Sequence, residues 1–378
     1  MIEKNELAGL DDTVLFDGVR TKELNIYIVG AHSRGQTLAR YLQYLYPEIA
    51  IAAYLYDNDE TNPERIGDIE VLHLDEKAVL HTEYAVYIGT RGIYHSQISR
   101  HLEELGFRKI YPVTAELDLY LRNEYLRRYY AVIGREFVKI DRLCESETGE
   151  KARIYVVRSA SDKPLKQEYV LEPYEKEIQA GATLTQKRLA KDGLTDHSGD
   201  NISYLNKQFC ELTALYWIWK HAEEEIIGMV HYRRHFILPE DWLSPMQRKH
   251  IDVILPIPLY VAPSIEENYK SRHDPSDWDY MMECLRIRDE QEFKEAGAFF
   301  QKNLYSPCNM FIMRREILNE LCTWLFPILF AAAGHGGQKK DDYLNRYPGF
   351  LSERLMTFFF EKHRGKYKVA YSDKSFLQ

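Results

Sequence analysis

The chain has 378 residues, long enough for two domains, and carries a formal charge of −9, which leaves no basic footprint for a nucleic acid. Its five cysteines (Cys144, Cys210, Cys284, Cys308, Cys322) are scattered without a CxxC pair, so neither a zinc site nor a disulfide framework is expected. Tyrosine is common at 28 residues; its flat apolar face and polar edge suit sugars and nucleotides as well as ordinary cores. The start, Met1-Ile2-Glu3-Lys4-Asn5-Glu6, has no basic segment leading into an apolar one. No apolar run approaches the roughly 20 residues of a membrane span. A cytoplasmic protein is expected.

In chain order, Leu24 to Val29 reads as a buried strand, and Gly30-Ala31-His32-Ser33-Arg34-Gly35 turns into a helix running to about Tyr46. A strand from Ile51 to Tyr56 ends in Asp57-Asn58-Asp59, and another from Tyr84 to Ile88 ends in Gly89-Thr90-Arg91-Gly92. A helix to Leu105 and a strand from Lys109 to Val113 follow. This alternation predicts a parallel sheet. Gly30 and Gly35 could set a phosphate at a helix N-terminus, with Asp57 at a ribose hydroxyl. Two glycines stand where the dinucleotide fingerprint has three, and glycine also serves simply to reverse the chain. Residues 22–115 resemble the small sugar- or nucleotide-binding Rossmann domains at the front of some bacterial sugar-modifying enzymes. The expectation is a Rossmann-like domain over 1–116 with a docking or regulatory role. Residues 117–150 read as a helical linker, where Tyr120 to Tyr130 is basic and aromatic at helical spacing. That pattern suits a peripheral membrane contact or an interdomain helix with a solvated face.

The second domain is expected over 151–378. Ala152 to Ser159 is a strand, and Gly199-Asp200-Asn201-Ile202-Ser203 is a turn feeding one long helix, Asn206 to Lys220. Lys207 and Glu211 fall one turn apart there, as in an i,i+4 ion pair. The apolar run Ile226 to Val230 then delivers His231-Tyr232-Arg233-Arg234-His235-Phe236. Four side chains that are cationic, or can become so, are costly at the mouth of a buried strand unless something anionic meets them. Ligands of open α/β sheets bind at the carboxyl ends of strands, and arginine grips a phosphate or diphosphate in a bidentate way. A structural cluster answered by Glu223 or Glu224 is the alternative. Ile251 to Pro256 is a further strand, before a polar loop holding His273, Asp274, Asp277 and Asp279. A strand over Ser306 to Met313 and an apolar helix from Ile317 to Phe330, kinked or broken at Pro327, come next. A glycine-containing loop, Ala331 to Asp342, precedes a last helix opened by Pro348-Gly349-Phe350-Leu351.

Several of these motifs together resemble one bacterial family. They are Asn201-Ile202-Ser203, the pattern from Asn206-Lys207 through Glu211-Leu212-Thr213 to Tyr216-Trp217, and Gly228 to His231-Tyr232-Arg233-Arg234. Asn309 to Met313, Trp324-Leu325-Phe326 and Gly349 to Leu355 complete the set. The family is the GT-A-like glycosyltransferases of capsular, exopolysaccharide and lipopolysaccharide gene clusters, and the resemblance runs from about residue 152 to 375. One departure is Arg158-Ser159-Ala160, where members carry a Thr-His-Lys-like sequence after the first strand.

The resemblance implies an α/β chain with a GT-A-like nucleotide-sugar-binding domain behind the Rossmann-like one. It also implies sugar transfer from a nucleoside-diphosphate donor, UDP-linked, to a glycan or lipid-linked glycan acceptor. Many GT-A enzymes hold the diphosphate through an Asp-x-Asp motif and a divalent metal; here His231-Tyr232-Arg233 stands in that place. Arg233 and Arg234, with Lys207 and His231, are therefore expected at the diphosphate without a metal. A Mn²⁺ or Mg²⁺ ion on His231 or His235 stays open as the alternative. Asp200 and Asn201 are expected to contact the donor, an Asx turn being the other reading. Asp277 and His273 are the candidates for activating the acceptor, with Glu353 behind them because a helix N-terminus favours a carboxylate for capping alone. A non-catalytic sugar-nucleotide sensor or scaffold and an NAD-linked sugar oxidoreductase are the readings from other classes.

Overall fold

The computed structural model describes residues 24–57, 62–75, 80–140, 152–166, 169–189 and 193–377. They divide into two compact units, Met1–Glu136 and Phe137–Gln378. Asn58, Asp59, Cys144 and the polar run 145–151 lie outside the described residues.

Unit 1 runs β1 (Leu24–Val29), α1 (Ser33–Leu45), β2 (Ile49–Tyr56), β3 (Arg65–Ile66), β4 (Ile69–His73), β5 (Ala85–Ile88), α2 (His95–Glu104), β6 (Ile110–Pro112) and α3 (Ala115–Val132). The sheet order is β3-β4-β2-β1-β5-β6, and β1 pairs in parallel with both β2 and β5. Tyr27, Val29, Leu55, Val86 and Ile88 from the strands meet Ile98 and Leu102 of α2 in a buried core. The turn after β1 needs its glycines for close approach. Gly30 has a φ of 114°, and a Cβ on Gly35 would stand 1.8 Å from the Gly30 carbonyl oxygen. Only a residue without a side chain lets α1 descend that closely onto the strand end. The helix read as a linker belongs to this unit. Thr114 caps α3 by accepting the Leu117 N–H at 3.2 Å, and Tyr125 packs on Tyr41 and Tyr44 at ring distances of 5.0 and 4.8 Å.

Unit 2 runs β7 (Ala152–Ser159), β8 (Glu175–Ala180), α4 (Asn206–Phe209), α5 (Leu212–His221), β9 (Ile226–His231), α6 (Leu243–Gln247), β10 (Val253–Pro256), β11 (Leu259–Tyr260), α7 (Ile265–Lys270) and α8 (Pro275–Arg288). It continues with α9 (Glu290–Phe300), β12 (Leu304–Tyr305), β13 (Phe311–Arg314), α10 (Arg315–Gly336), α11 (Tyr347–Lys362) and β14 (Val369–Ser372). The main sheet has the order β14-β10-β13-β9-β7-β8. Strands β7, β8 and β9 are mutually parallel, as are β10 and β14, while β13 runs antiparallel between β9 and β10. This mixed α/β arrangement is compatible with a GT-A-like architecture. Alternate strand residues serve opposite faces. Ile227, Met229, Phe311 and Met313 pack under α5, α8, α10 and α11, whereas Ile226, Val230 and Ile312 meet Ile140, Phe236 and Trp242 on the other side.

Because β13 is reversed, its beginning arrives at the sheet edge where the parallel strands end. Residues 308–310 therefore stand beside His231.

Three expectations are corrected here. The helix expected over Asn206 to Lys220 is two helices, broken at Cys210 with φ 48° and ψ −126°. The break is held by the Asn206 side chain, which donates to the Cys210 carbonyl at 2.7 Å. The strand expected from Ser306 begins only at Phe311, since Cys308 and Asn309 adopt positive φ of 79° and 48°. Finally, α10 continues through Pro327 for 22 residues, so 331–336 is helix and not loop. That helix is long and apolar enough to cross a membrane by composition, yet Leu318, Leu321, Cys322, Leu325 and Leu329 are buried in the unit's core.

Replacing Gly35 by alanine should destabilise unit 1 by about 1–3 kcal/mol, the usual cost of overpacking. Calorimetry of the full chain should show one transition moving down while the transition of unit 2 stays in place. An unmoved unit 1 transition would contradict the close approach.

Candidate functional site at the strand ends

His231 closes β9, and its Nε2 lies 2.6 Å from the Cys308 carbonyl oxygen. A carbonyl can only accept, so the ring carries its proton on Nε2 and its lone pair on Nδ1. Burial pushes the ring's pKa below its ordinary value; Glu211 opposes that push and Arg234 and Arg346 add to it. His231 is thus a neutral base at neutral pH, not one of four cations. His235 does not reach the rim. It is 2% exposed, with Nδ1 2.7 Å from Glu175 Oε1 and its ring stacked on Tyr169 at 3.8 Å. It anchors the chain from inside the fold.

The two arginines remain. Arg234 turns back on β9 through its N–H to the His231 carbonyl at 2.9 Å. Its guanidinium lies over Phe376 at 5.4 Å, and that of Arg233 over Tyr232 at 5.3 Å. Among the described residues neither forms a salt bridge. Glu224, expected as an answer to them, instead takes the Tyr155 hydroxyl at 3.0 Å and lies 3.7 Å from Arg153, at the start of β7.

Arg346, just before α11, joins the group from another direction. Its Nε donates to Cys210 Sγ at 3.0 Å and its guanidinium sits over Phe350 at 5.9 Å. Asp162, in the loop after β7, accepts the Ser159 N–H at 2.6 Å. Burial raises the Asp162 pKa, and Arg158, Arg233 and Arg346 pull it back.

Two further carboxylates brace the edge. Glu353 accepts the Cys308 N–H at 2.7 Å on one oxygen and Arg354 at 2.8 Å on the other; burial raises its pKa against the pull of Arg354. Glu211 accepts the Asn309 amide at 2.8 Å on Oε1, and among the described residues Oε2 takes no hydrogen bond. Four described non-glycine residues have positive φ, and three of them, Cys210, Cys308 and Asn309, stand here. Such backbone costs of order 1–3 kcal/mol each and collects at functional sites.

The other expected residues make the following contacts. Lys207 is exposed on α4, and the break at Cys210 removes its i,i+4 relation to Glu211. Asp200 accepts from Tyr216 at 3.0 Å and lies 3.6 Å from Lys220, while its carbonyl meets His221 at 2.9 Å. It therefore sits at the last turns of α5, roughly 15 Å of helix from Glu211. Asn201 bonds the His197 and Gly199 carbonyls and accepts the Ser203 N–H, which is the Asx turn. Neither side chain reaches the arginines. Asp277 is 2% exposed and paired with Lys339 at 2.5 Å; Lys339 also meets Asp274 at 2.8 Å. Burial raises the Asp277 pKa and Lys339 opposes it. His273 lies between Tyr269 at 4.6 Å and Phe350 at 4.3 Å. Burial, then Arg354, brings its pKa down to about 3. In unit 1, Gly35 packs on Gly30, whose N–H donates to Leu55 at 2.8 Å, and Asp57 follows β2, two residues after Leu55. Among the described residues no three His, Cys, Asp or Glu side chains form a group that could hold a metal ion.

A groove of about 830 Å³ opens at the opposite sheet edge, lined by Trp219, Lys220, Arg314 and Arg315. Two of its charges are engaged, Lys220 with Asp200 and Arg314 with Asp252. Lys220 and Phe326 both pack against the Trp219 ring.

Residues 153–364 match a family described as a domain of unknown function, DUF4422. The chain belongs to this family. The apo structure of WbbM, a bifunctional glycosyltransferase, is similar with a TM-score of 0.52 and 24% sequence identity, over 60% of this chain and 45% of that one. The chain thus spans less than half the length of that protein, and the likeness is one of fold. No curated protein matches the chain.

Within the DUF4422 unit, Arg346, Asp162 and the role of Glu211 are not among the residues expected from sequence. Arg346 stands next to the Gly349 to Leu355 motif, but no spacing rule ties it to a strand end more than a hundred residues earlier. Glu211 was assigned to a helix pair that the Cys210 break prevents.

The buried neutral His273 gives a pH dependence with a definite sign. Its folded pKa lies below the ordinary 6.5, so the stability it supports is full above pH 6.5 and falls as pH drops toward 3. At pH 5 the loss should be about 2 kcal/mol relative to pH 7. His273→Phe, which keeps the ring stack, should flatten that part of the denaturant-stability profile. An unchanged acid slope would contradict the assignment.

Proposed function

We propose that unit 2 is a glycosyltransferase that holds a nucleoside-diphosphate sugar at the C-terminal edge of its main sheet. The observation that carries this reading is the pair of guanidiniums, Arg233 and Arg234, that follow β9 and form no salt bridge among the described residues, Arg233 acting on Asp162 without pairing to it. Leaving them so is costly unless an anionic ligand completes the site. The fold likeness to a glycosyltransferase supports the same class. The donor is a UDP-sugar and the acceptor a glycan or lipid-linked glycan of the bacterial surface, reached in the cytoplasm or at the inner membrane face. Unit 1 serves as a docking or regulatory domain.

In this reading the diphosphate lies against Arg233 and Arg234, with Arg346 opposite. As the bond to the sugar breaks, charge grows on the diphosphate, and fixed guanidiniums stabilise that charge more than the ground state. The donors a Mn²⁺ or Mg²⁺ ion would find here are His231 Nδ1, Glu211 Oε2 and Asp162, and among the described residues no three such side chains are grouped to hold one. The leaving group's charge therefore falls to the arginines.

A non-catalytic sugar-nucleotide sensor is the second reading. It is favoured by one observation: Asp277 is buried with one oxygen on Lys339, and Glu353 has both oxygens committed, to Cys308 and Arg354.

Calorimetric titration of the full chain with UDP should give saturable binding that persists in EDTA. Arg233→Ala and Arg234→Ala should each weaken it by about 1.5–3 kcal/mol, the worth of a hydrogen bond to a charged group. Binding that needs Mn²⁺, or that ignores both substitutions, would contradict the reading.

A further inference from the structure

The transfer proposed above needs a group to take the acceptor's hydroxyl proton, and Asp277 and Glu353 are ill placed for it. One side chain at the strand ends has a lone pair to offer. His231 is fixed by its Nε2–H bond to the Cys308 carbonyl, which leaves Nδ1 unprotonated. Among the described residues Nδ1 has no hydrogen-bond partner, and it is not among the sealed, unpartnered polar atoms of the fold. The residue is half-buried, so this nitrogen faces the open side of the strand end.

The geometry around it is that of an oriented base. Glu353 holds the Cys308 N–H at 2.7 Å, which fixes the carbonyl that orients the imidazole. The next residue, Asn309, holds Glu211 through its amide at 2.8 Å. Thus two consecutive left-handed residues, Cys308 and Asn309, position both a base and a counter-charge. A nucleophile–base site uses the same logic, in which a third group orients the base and a carboxylate stabilises the cation it becomes.

We propose that His231 is the catalytic base, taking the acceptor's proton on Nδ1, and that Glu211 is its positioning carboxylate. This rests on the reading of Arg233 and Arg234 as the diphosphate site. In the step, the acceptor oxygen forms a bond to the anomeric carbon and its proton passes to Nδ1. The bond from that carbon to the diphosphate oxygen breaks, and its electron pair leaves with the nucleoside diphosphate. Glu211 stabilises the imidazolium. The charged groups acting on the ring are Glu211, which favours protonation, and Arg234 and Arg346, which oppose it.

Two measurements test the assignment on the full chain. The first needs no substrate: nitrogen NMR of ¹⁵N-histidine-labelled protein, with the His231 signals identified from His231→Gln. At pH 7 a protonated Nε2 and a bare Nδ1 are expected, and Glu211→Gln should move the ring's titration to lower pH. A proton on Nδ1 at pH 7, or a titration unmoved by Glu211→Gln, overturns the proposal.

The second follows UDP release from UDP-galactose, UDP-glucose and UDP-N-acetylglucosamine, with water and methyl galactoside as acceptors. His231→Gln can keep a donor to the Cys308 carbonyl but has no basic nitrogen. UDP affinity within threefold of wild type, with turnover lower by about 10²–10⁴, supports a base. Turnover within tenfold of wild type overturns the base while leaving the diphosphate site standing. Loss of UDP affinity in this variant makes His231 a structural or donor contact and also overturns it. A wild-type chain that binds no UDP and releases none overturns the transferase reading, and the base falls with it.

Discussion

The hydrogen bond from His231 to the Cys308 carbonyl joins two strands that run in opposite directions, and the candidate site depends on that junction. In an all-parallel sheet the edge where strands end carries only their C-terminal loops. Reversing β13 brings the start of a strand to the same edge, and with it Cys308 and Asn309. Glu211, Glu353 and His231 all take their positions from these two residues. Helices α4 and α5 supply Glu211 only because the chain breaks at Cys210, and α11 supplies Glu353 from its second turn.

The local conformations here are unfavourable and held from outside. Positive φ at Cys210, Cys308 and Asn309 is costly for residues with a Cβ, and each is fixed by a hydrogen bond to a side chain or from its own. A fold that spends this much restraint on one edge keeps its polar groups in place before any ligand arrives. Preorganisation of that kind is what electrostatic catalysis requires. His273 stacks on Tyr343 and on Phe350 of α11, and Lys339, paired with Asp277, lies over Tyr347 at the start of the same helix.

Much of the fold was legible from local pattern. Residues 26–29 of β1, 154–157 of β7 and 226–230 of β9 are continuous apolar runs because they are buried on both faces, and the turn at Gly30 to Gly35 announced the first crossover. The cluster after Val230 marked the right strand end for the same reason: charge abutting a buried run needs an explanation. What local pattern does not show is which side chains share a space. His231 and His235 count equally as cations in sequence, but one faces a carbonyl at the rim and the other a buried carboxylate. Asp200 and Asp277 sit in polar loops that look like ligand loops, and both are engaged by residues near in space, Tyr216 with Lys220 and Lys339. The break at Cys210 was hidden because nothing in Phe209-Cys210-Glu211 opposes a helix; the Asn206 side chain imposes it from one turn away.

The central claim is that Arg233 and Arg234, which follow β9 and form no salt bridge among the described residues, make an anion site for a nucleoside diphosphate. A crystal structure of the full chain grown with UDP tests it most directly. The diphosphate oxygens are expected within hydrogen-bonding distance of Arg233 and Arg234, beside an imidazole that still donates to the Cys308 carbonyl. A diphosphate bound instead at the Gly30 turn of unit 1, or in the groove lined by Lys220 and Arg315, would contradict it.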